Sequence, residues 1–385
     1  MNKPISSVFR QLCALMRPTS CRIAGLALAL SPGVSLAKEI KVFCQNNAGD
    51  AALINSAIAG SVSGDEILIQ GPALLTQTIR LVHSRSYRGT SRTGTVLKQA
   101  NGVNLVALMA SDSFLDNSTT TGNPLAVRHL TLDGNKANNT AATVGLIIRS
   151  WESVVEDIEV KQMDGDGIRI TSVSANGTVQ TNTQVNGRIA GCLVNDCSGR
   201  GISVKDGTNS CTDWTMFNNT VRNSGETGIY LENSAGWFVV QNKVYNSSRS
   251  GIYADRCFGT SITENYVEDF GRSSTTGTYQ GVGVTLQGGV GTAIAGNVVK
   301  NLTAAGSAAS AFQYIAIVRV NYDTGYASVT DNIATHSIST TGPSVGVFYS
   351  KGSAVGLTVA SSANSATGVT TQKSVGSGVT QNSGL

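Results

Sequence analysis

Asn219-Thr220-Val221 is followed nine residues on by Gly228-Ile229-Tyr230-Leu231, and Asn242-Lys243-Val244 nine residues on by Gly251-Ile252-Tyr253-Ala254. Cys192-Leu193-Val194 stands in the same relation to Gly201-Ile202-Ser203-Val204, while Asn265-Tyr266-Val267 reaches Gly281-Val282-Gly283-Val284 through a longer loop. A spacing that holds while the intervening loops vary is the mark of a stacked repeat. The frame extends upstream through Ile158-Glu159-Val160 with Gly167-Ile168-Arg169-Ile170, and through Leu130-Thr131-Leu132 with Gly145-Leu146-Ile147-Ile148. Downstream, Asn297 and Asn332 prolong the asparagine column. From Gly145 to Gly281 the repeats measure 22, 34, 27, 23 and 30 residues, a looser length than helical or leucine-rich repeats allow. Short strands, Gly/Asn/Ser turns and no long amphipathic helix predict an all-β solenoid.

Four motifs narrow this further: Gly64-Asp65-Glu66-Ile67-Leu68-Ile69, Leu130-Thr131-Leu132-Asp133-Gly134-Asn135, Asp166-Gly167-Ile168 and the Asn-x-Val/Gly-Ile alternation. Through them the chain resembles the right-handed parallel β-helices of the pectin-lyase-like class over roughly residues 40–360. That resemblance implies the fold. It leaves function open among lyases, hydrolases, epimerases, phage spikes and adhesins.

Residues 1–37 read as an export leader. Lys3, Arg10, Arg17 and Arg22 precede a short apolar run, Ile23 to Leu30, and Ser35-Leu36-Ala37 offers small residues for cleavage. The run is too short to span a membrane, so the mature chain is expected to be secreted or periplasmic, with no membrane span. Loss of those four basic residues takes the formal charge from +4 to zero, which gives no argument for an acidic substrate. No basic run or basic-aromatic cluster points to nucleic acid. The expected domain plan is a β-helix over 38–360, then a Ser/Thr/Gly-rich tail over 361–385 that is a final coil, a trimerising end or a frayed terminus. Monomer and homotrimer stay open. Ala51 to Ile58 has helical period with Asp50 placed as N-cap, and such a helix would cover the open edge of the first coil.

Of the cysteines beyond the leader, Cys211 and Cys257 share a position two coils apart. At about 4.8 Å per coil they are too distant for a disulfide. Cys192 with Cys197 is sterically feasible. No CxxC pair suggests zinc.

Alternation along the Gly-Ile strands sends Ile and Val inward and two columns outward. The first is Ile147, Arg169, Ser203, Tyr230, Tyr253, Gly283; the second is Arg149, Thr171, Lys205, Glu232, Asp255, Thr285. On the turn before the strands stand Asp164, Asp166, Arg200, Glu226 and Arg249. Chemistry-bearing side chains thus gather on one face, and two uses of it compete.

As an enzyme, the face would cleave glycosidic bonds of a polysaccharide. Glu232 and Asp255, vertical neighbours about 5 Å apart by the coil rise, match the carboxylate separation of a retaining glycosidase. Asp166 with Glu226 is a second hydrolytic pair. A lyase would instead use Lys205 or Arg169 as base with a group neutralising a uronate. Related lyases often use Ca²⁺ there, for which Asp164, Asp166 and Glu226 are the available ligands. Tyr230 and Tyr253 would stack on sugars, and Arg149, Arg169, Arg200, Arg249 and Arg256 would hold acidic groups. The inserts at 137–144, 172–191 and 271–280 would wall a cleft. As a non-catalytic glycan binder, the same face needs only its tyrosines and hydrogen-bonding groups, with Lys205 and Glu232 as a solvated ion ladder. Scattered histidines and the lack of a Gly-x-Ser-x-Gly elbow argue against a Ser-His-Asp site.

Overall fold

The computed structural model describes residues 37–287, 290–303 and 305–383. The expected leader therefore lies, but for Ala37, outside the described residues. Strands repeat in threes, and each run of three makes one coil of a right-handed parallel β-helix. The first sheet has 13 strands, from Glu39–Phe43 to Val379–Ser383; the second and third have 11 each. Asn-x-Val segments open the second-sheet strands, such as Thr220–Ser224 and Lys243–Ser247. Gly-Ile segments open those of the third, such as Ile202–Lys205, Ile229–Leu231 and Ile252–Cys257. Pairing between coils is parallel and in the expected frame: Ile202 lies on Ile229, Ile229 on Ile252, Ile252 on Val282.

Two columns explain why the sequence repeats as it does. The asparagines form a buried ladder at the corner between the first and second sheets. Asn242 Oδ1 accepts both the backbone N–H and the side-chain amide of Asn219, at 3.0 and 2.9 Å, and Asn265 does the same for Asn242. The chain of amides continues through Asn297 and Asn332 to Asn364, a rung the sequence reading did not include. Fixing backbone donors this way satisfies polar groups that the corner buries. The glycines are there for space. A Cβ on Gly228 would collide with Val244 Cγ1 and meet the Gly251 carbonyl at 2.8 Å, and Gly251 is in the same position against Val267 and Gly281. Valine of one coil fills the place where the glycine below has no side chain, so the two halves of the motif are one packing unit.

Several expectations shift at the ends. The first strand is Glu39–Phe43, and it pairs with Glu66–Gln70 across the intervening helix. The helix Asp50–Ala59 does lie over the first coils, with Ile54 and Ile58 buried in the core. Asn55 on it bonds the Thr78 carbonyl and the Arg80 N–H, occupying the edge of the strand Ile79–Leu81. Asp50 is the first helical residue rather than the cap. Its carboxylate accepts from the N–H groups of Gln45, Asn47 and Leu74, tying the preceding loop to the next coil. Residues 361–383 continue the solenoid: Ser365–Thr367, Thr371–Val375 and Val379–Ser383 pair with the coil before them. The five cysteines among the described residues are free and buried, and Cys192 and Cys197 are not joined.

Candidate functional site

The site grows out of the turn between the second and third sheets. In the coils from Leu193 to Gly251 the chain leaves a second-sheet strand, turns over three residues and re-enters at the glycine, so the turn residues stack. Glu226 N–H reaches the Gly199 carbonyl and Arg249 N–H the Glu226 carbonyl at 3.2 Å, placing Glu226 and Arg249 one above the other. Arg200, one position on, pairs with Glu226 at 3.3 Å and lays its guanidinium 3.8 Å from the centre of the Tyr230 ring. Tyr230 lies on Tyr253 in register, the rings 6.0 Å apart and 10° from parallel. Above Tyr253 the column holds Gly283, where a Cβ would meet Gln280 Cβ at 2.7 Å and Tyr253 Cδ2 at 3.0 Å. Gln280 occupies that space, fixed by the Ser250 hydroxyl at 2.9 Å.

The result is a groove of about 270 Å³ lined by the two tyrosines, by Arg200, Glu226 and Arg249, and by residues 278–280 of the next coil. Arg200, Glu226, Tyr230, Arg249 and Tyr253 come together as the sequence predicted. Ser250, Thr278, Tyr279 and Gln280 were not individually foreseen, although the 271–280 insert was expected to form a wall. Burial, followed by the negative charge of Asp255, pushes the Tyr253 phenol up to about 12. Burial also raises Tyr230, against the opposing pull of Arg200. Both phenols are therefore neutral proton donors near pH 7, and neither hydroxyl has a hydrogen-bond partner among the described residues. Arg249 is exposed and has no ion pair among the described residues.

The other predicted residues have different work. Asp166 is buried, and burial alone would raise its pKa. Arg169, the Ser203 hydroxyl and the Arg200 N–H outweigh that and hold the carboxyl below its ordinary value. Arg169 binds it through Nε and Nη2 at 3.0 and 2.9 Å, Ser203 at 2.7 Å and the Arg200 N–H at 2.9 Å. A carboxylate so saturated braces the turn under Arg200 and is not a free acid, base or Ca²⁺ ligand. Arg169, locked to it, is no base. Among the described residues no three His, Cys, Asp or Glu side chains converge to hold a metal, so Asp164, Asp166 and Glu226 are not a ready-made Ca²⁺ set.

Glu232 and Asp255 do not form the expected pair. Glu232 turns toward the coil below and accepts the Asp206 N–H at 3.0 Å, while Asp255 turns toward the coil above and accepts the Thr285 hydroxyl. Lys205 is exposed beside them and outside the groove. Arg256, at φ 54° in a bulge, bonds Gln287 and Asn233. Arg149 is not a surface residue at all. Its fully buried guanidinium donates to the carbonyls of Ser113, Ser118, Thr120 and Ser172, stapling the loops at 112–121 and 172–183. Ile147 points outward as expected but is covered by the short helix Asp112–Leu115. The 172–191 insert accordingly packs on another loop and does not line the groove.

The coil architecture and the asparagine ladder together define a right-handed parallel β-helix. Residues 200–383 match the family described as a right handed beta helix region. No curated protein sequence matches the chain. Among solved structures it is similar to the A-module of mannuronan C-5 epimerase AlgE4 from Azotobacter vinelandii, with a TM-score of 0.60, 16% identity, and 88% of this chain and 97% of that one covered. It is also similar to the Dettilon tailspike protein (TM-score 0.55, 16% identity, 88% and 66% covered). A third is the enzymatically active domain of bacteriophage CBA120 tailspike protein 2 (0.54, 14%, 85% and 48%). At these identities the likeness is one of fold. Among the described residues no helix is long and apolar enough to cross a membrane.

Proposed function

We propose that the chain acts on an acidic polysaccharide laid along this groove and breaks it by β-elimination at a uronate. The observation that carries the reading is the combination of a cation without an ion pair, Arg249, with two neutral, unbonded phenols in one groove. Elimination needs three things: a cation to neutralise the uronate carboxylate, an acceptor for the C-5 proton and a donor for the leaving oxygen. Arg249 supplies the first. Glu226, half-exposed in the groove and oriented by Arg200, takes the C-5 proton as electrons move to form the C-4=C-5 double bond. The C-4–O bond breaks, and Tyr253 protonates the departing oxygen. Hydrolysis by a carboxylate pair is less well supported, because Asp166 is saturated and Glu232 and Asp255 turn away from each other. The similar structures include a mannuronan C-5 epimerase module and tailspike proteins, which agrees with a carbohydrate substrate and an extracytoplasmic site of action.

The test is turnover of uronate-containing and neutral polysaccharides by the chain lacking residues 1–37. Absorbance from unsaturated uronate ends, lost in Arg249→Gln and Tyr253→Phe, is the expected result. Solvent deuterium entering C-5 without cleavage would redirect the assignment to epimerisation. Reducing ends with no absorbance would overturn elimination in favour of hydrolysis.

A further inference from the structure

The second sheet carries, on its outer surface, a feature that the groove does not use. In register along four coils stand Arg222, Tyr245, Glu268 and Lys300, with Tyr266 two residues before Glu268 on the same strand and in register with Lys243. Arg222 lies 5.6 Å from the Tyr245 ring centre, the two rings are 5.7 Å apart at 47°, and the Lys300 ammonium is 5.4 Å from the Tyr266 ring. Lys243 is exposed next to Tyr266. None of Arg222, Lys243 and Lys300 has an ion pair among the described residues, while Glu268, the outward acid of these strands, accepts the Tyr266 hydroxyl. Structural ion ladders neutralise themselves; these four strands set three cations against one acid on an aromatic strip.

At the end of the strip nearest the turn runs a row of exposed amides. Asn223 donates to Asn195 at 3.1 Å and Asn246 to Asn223 at 3.2 Å, each residue one coil from the next. Asn223 and Asn246 border a trough of about 470 Å³ that also takes in Arg272 and the Lys136–Asp196 ion pair. Arg222 and Lys300 are three coils apart, about 14 Å at the coil rise. Cations at that separation, aromatic edges between them and an amide row alongside provide charge neutralisation, apolar contact and hydroxyl partners for several consecutive sugars.

We propose that this face of the second sheet is a separate binding site for a polyanionic glycan, carboxylated or sulfated, running along the helix axis. It holds the polymer by charge and stacking without reacting with it. The site stands independently of the groove assignment, because its readout is binding rather than turnover.

The experiment is titration of the full chain with a polyuronate oligomer, a sulfated glycan and a neutral glucan, at two salt concentrations. Arg222→Gln/Lys300→Gln, and separately Tyr245→Ala, are expected to weaken polyuronate binding at least tenfold with an unchanged melting temperature. Tyr245→Phe, which keeps the ring, should bind as the parent does. Arg249→Gln/Tyr253→Phe in the groove should retain this binding even where turnover is abolished. A stronger effect of the charge variant on the sulfated or the uronate polymer identifies which anion the face prefers. Parent-like affinity in both Arg222→Gln/Lys300→Gln and Tyr245→Ala, or equal affinity for the neutral glucan, would overturn the proposal.

Discussion

Replacing Asn242 with alanine tests whether the amide column holds the coils together. Its Oδ1 accepts the Asn219 backbone N–H at 3.0 Å and the Asn219 side-chain amide at 2.9 Å. Its Nδ2 donates to the Met216 carbonyl and to Asn265 Oδ1, each at 3.0 Å. Truncation leaves the buried Asn219 N–H without an acceptor, a loss of about 1–3 kcal/mol. Asn219's amide still has the Ile189 carbonyl, and Asn265 Oδ1 still has the Asn242 N–H, so those partners are only partly deprived. The three further hydrogen bonds at about 1 kcal/mol net each bring the expected cost to about 4–6 kcal/mol. The end rung Asn364 is half-exposed, and water can replace its side chain, so Asn364→Ala should cost about 1 kcal/mol. Denaturant melts compare the two variants. Because coils interact with their neighbours, amide exchange at Asn219 should report the loss before global unfolding does. If Asn242→Ala lies within about 0.5 kcal/mol of the parent, or costs no more than Asn364→Ala, the ladder is not a principal source of stability and the argument fails.

Gly228→Ala should destabilise by about 1–3 kcal/mol through collision with Val244. Adding Val244→Ala should recover part of that loss in a thermal melt, which a purely conformational effect of glycine would not allow. Arg149→Met removes the side-chain donor from the Ser118 and Thr120 carbonyls and one of two donors from those of Ser113 and Ser172, and should cost about 3–5 kcal/mol. Limited proteolysis should then cut within 112–121 or 172–183, where the parent resists. Asp166 has a depressed folded pKa, so its stabilisation is complete above the ordinary aspartate value of 3.8 and is lost as pH falls through the lower folded value. Asp166→Asn should therefore lower stability at pH 7 and flatten its dependence on pH below 3.8; an unchanged acid limb would show that the Arg169 and Ser203 bonds do not matter.

The repeat alone was enough to specify the fold, because in a solenoid each coil packs against its neighbours and the same physical demand recurs at the same place. Asn-x-Val and Gly-Ile could be read as corner and strand since the amide must satisfy buried backbone and the glycine must make way for valine, whatever the loops do. The stacking of Tyr230 on Tyr253 and the gathering of Arg200, Glu226 and Arg249 followed from register in the same way. Register gives vertical neighbours but not the direction in which a long side chain turns. Glu232 and Asp255 were correctly placed one above the other, yet each found a nearer donor in the coil on its far side. Asp166 was correctly placed on the turn, but the geometry of Arg169 decided that it braces the site. Arg149 belongs to an outward column, and only the packing of two inserted loops, distant in sequence, turned it into a buried staple. Sequence determined the coil, its period and which residues share a face; the loops and the hydrogen-bond partners they supply, which no local periodicity encodes, decided which of those residues remain free to meet a ligand.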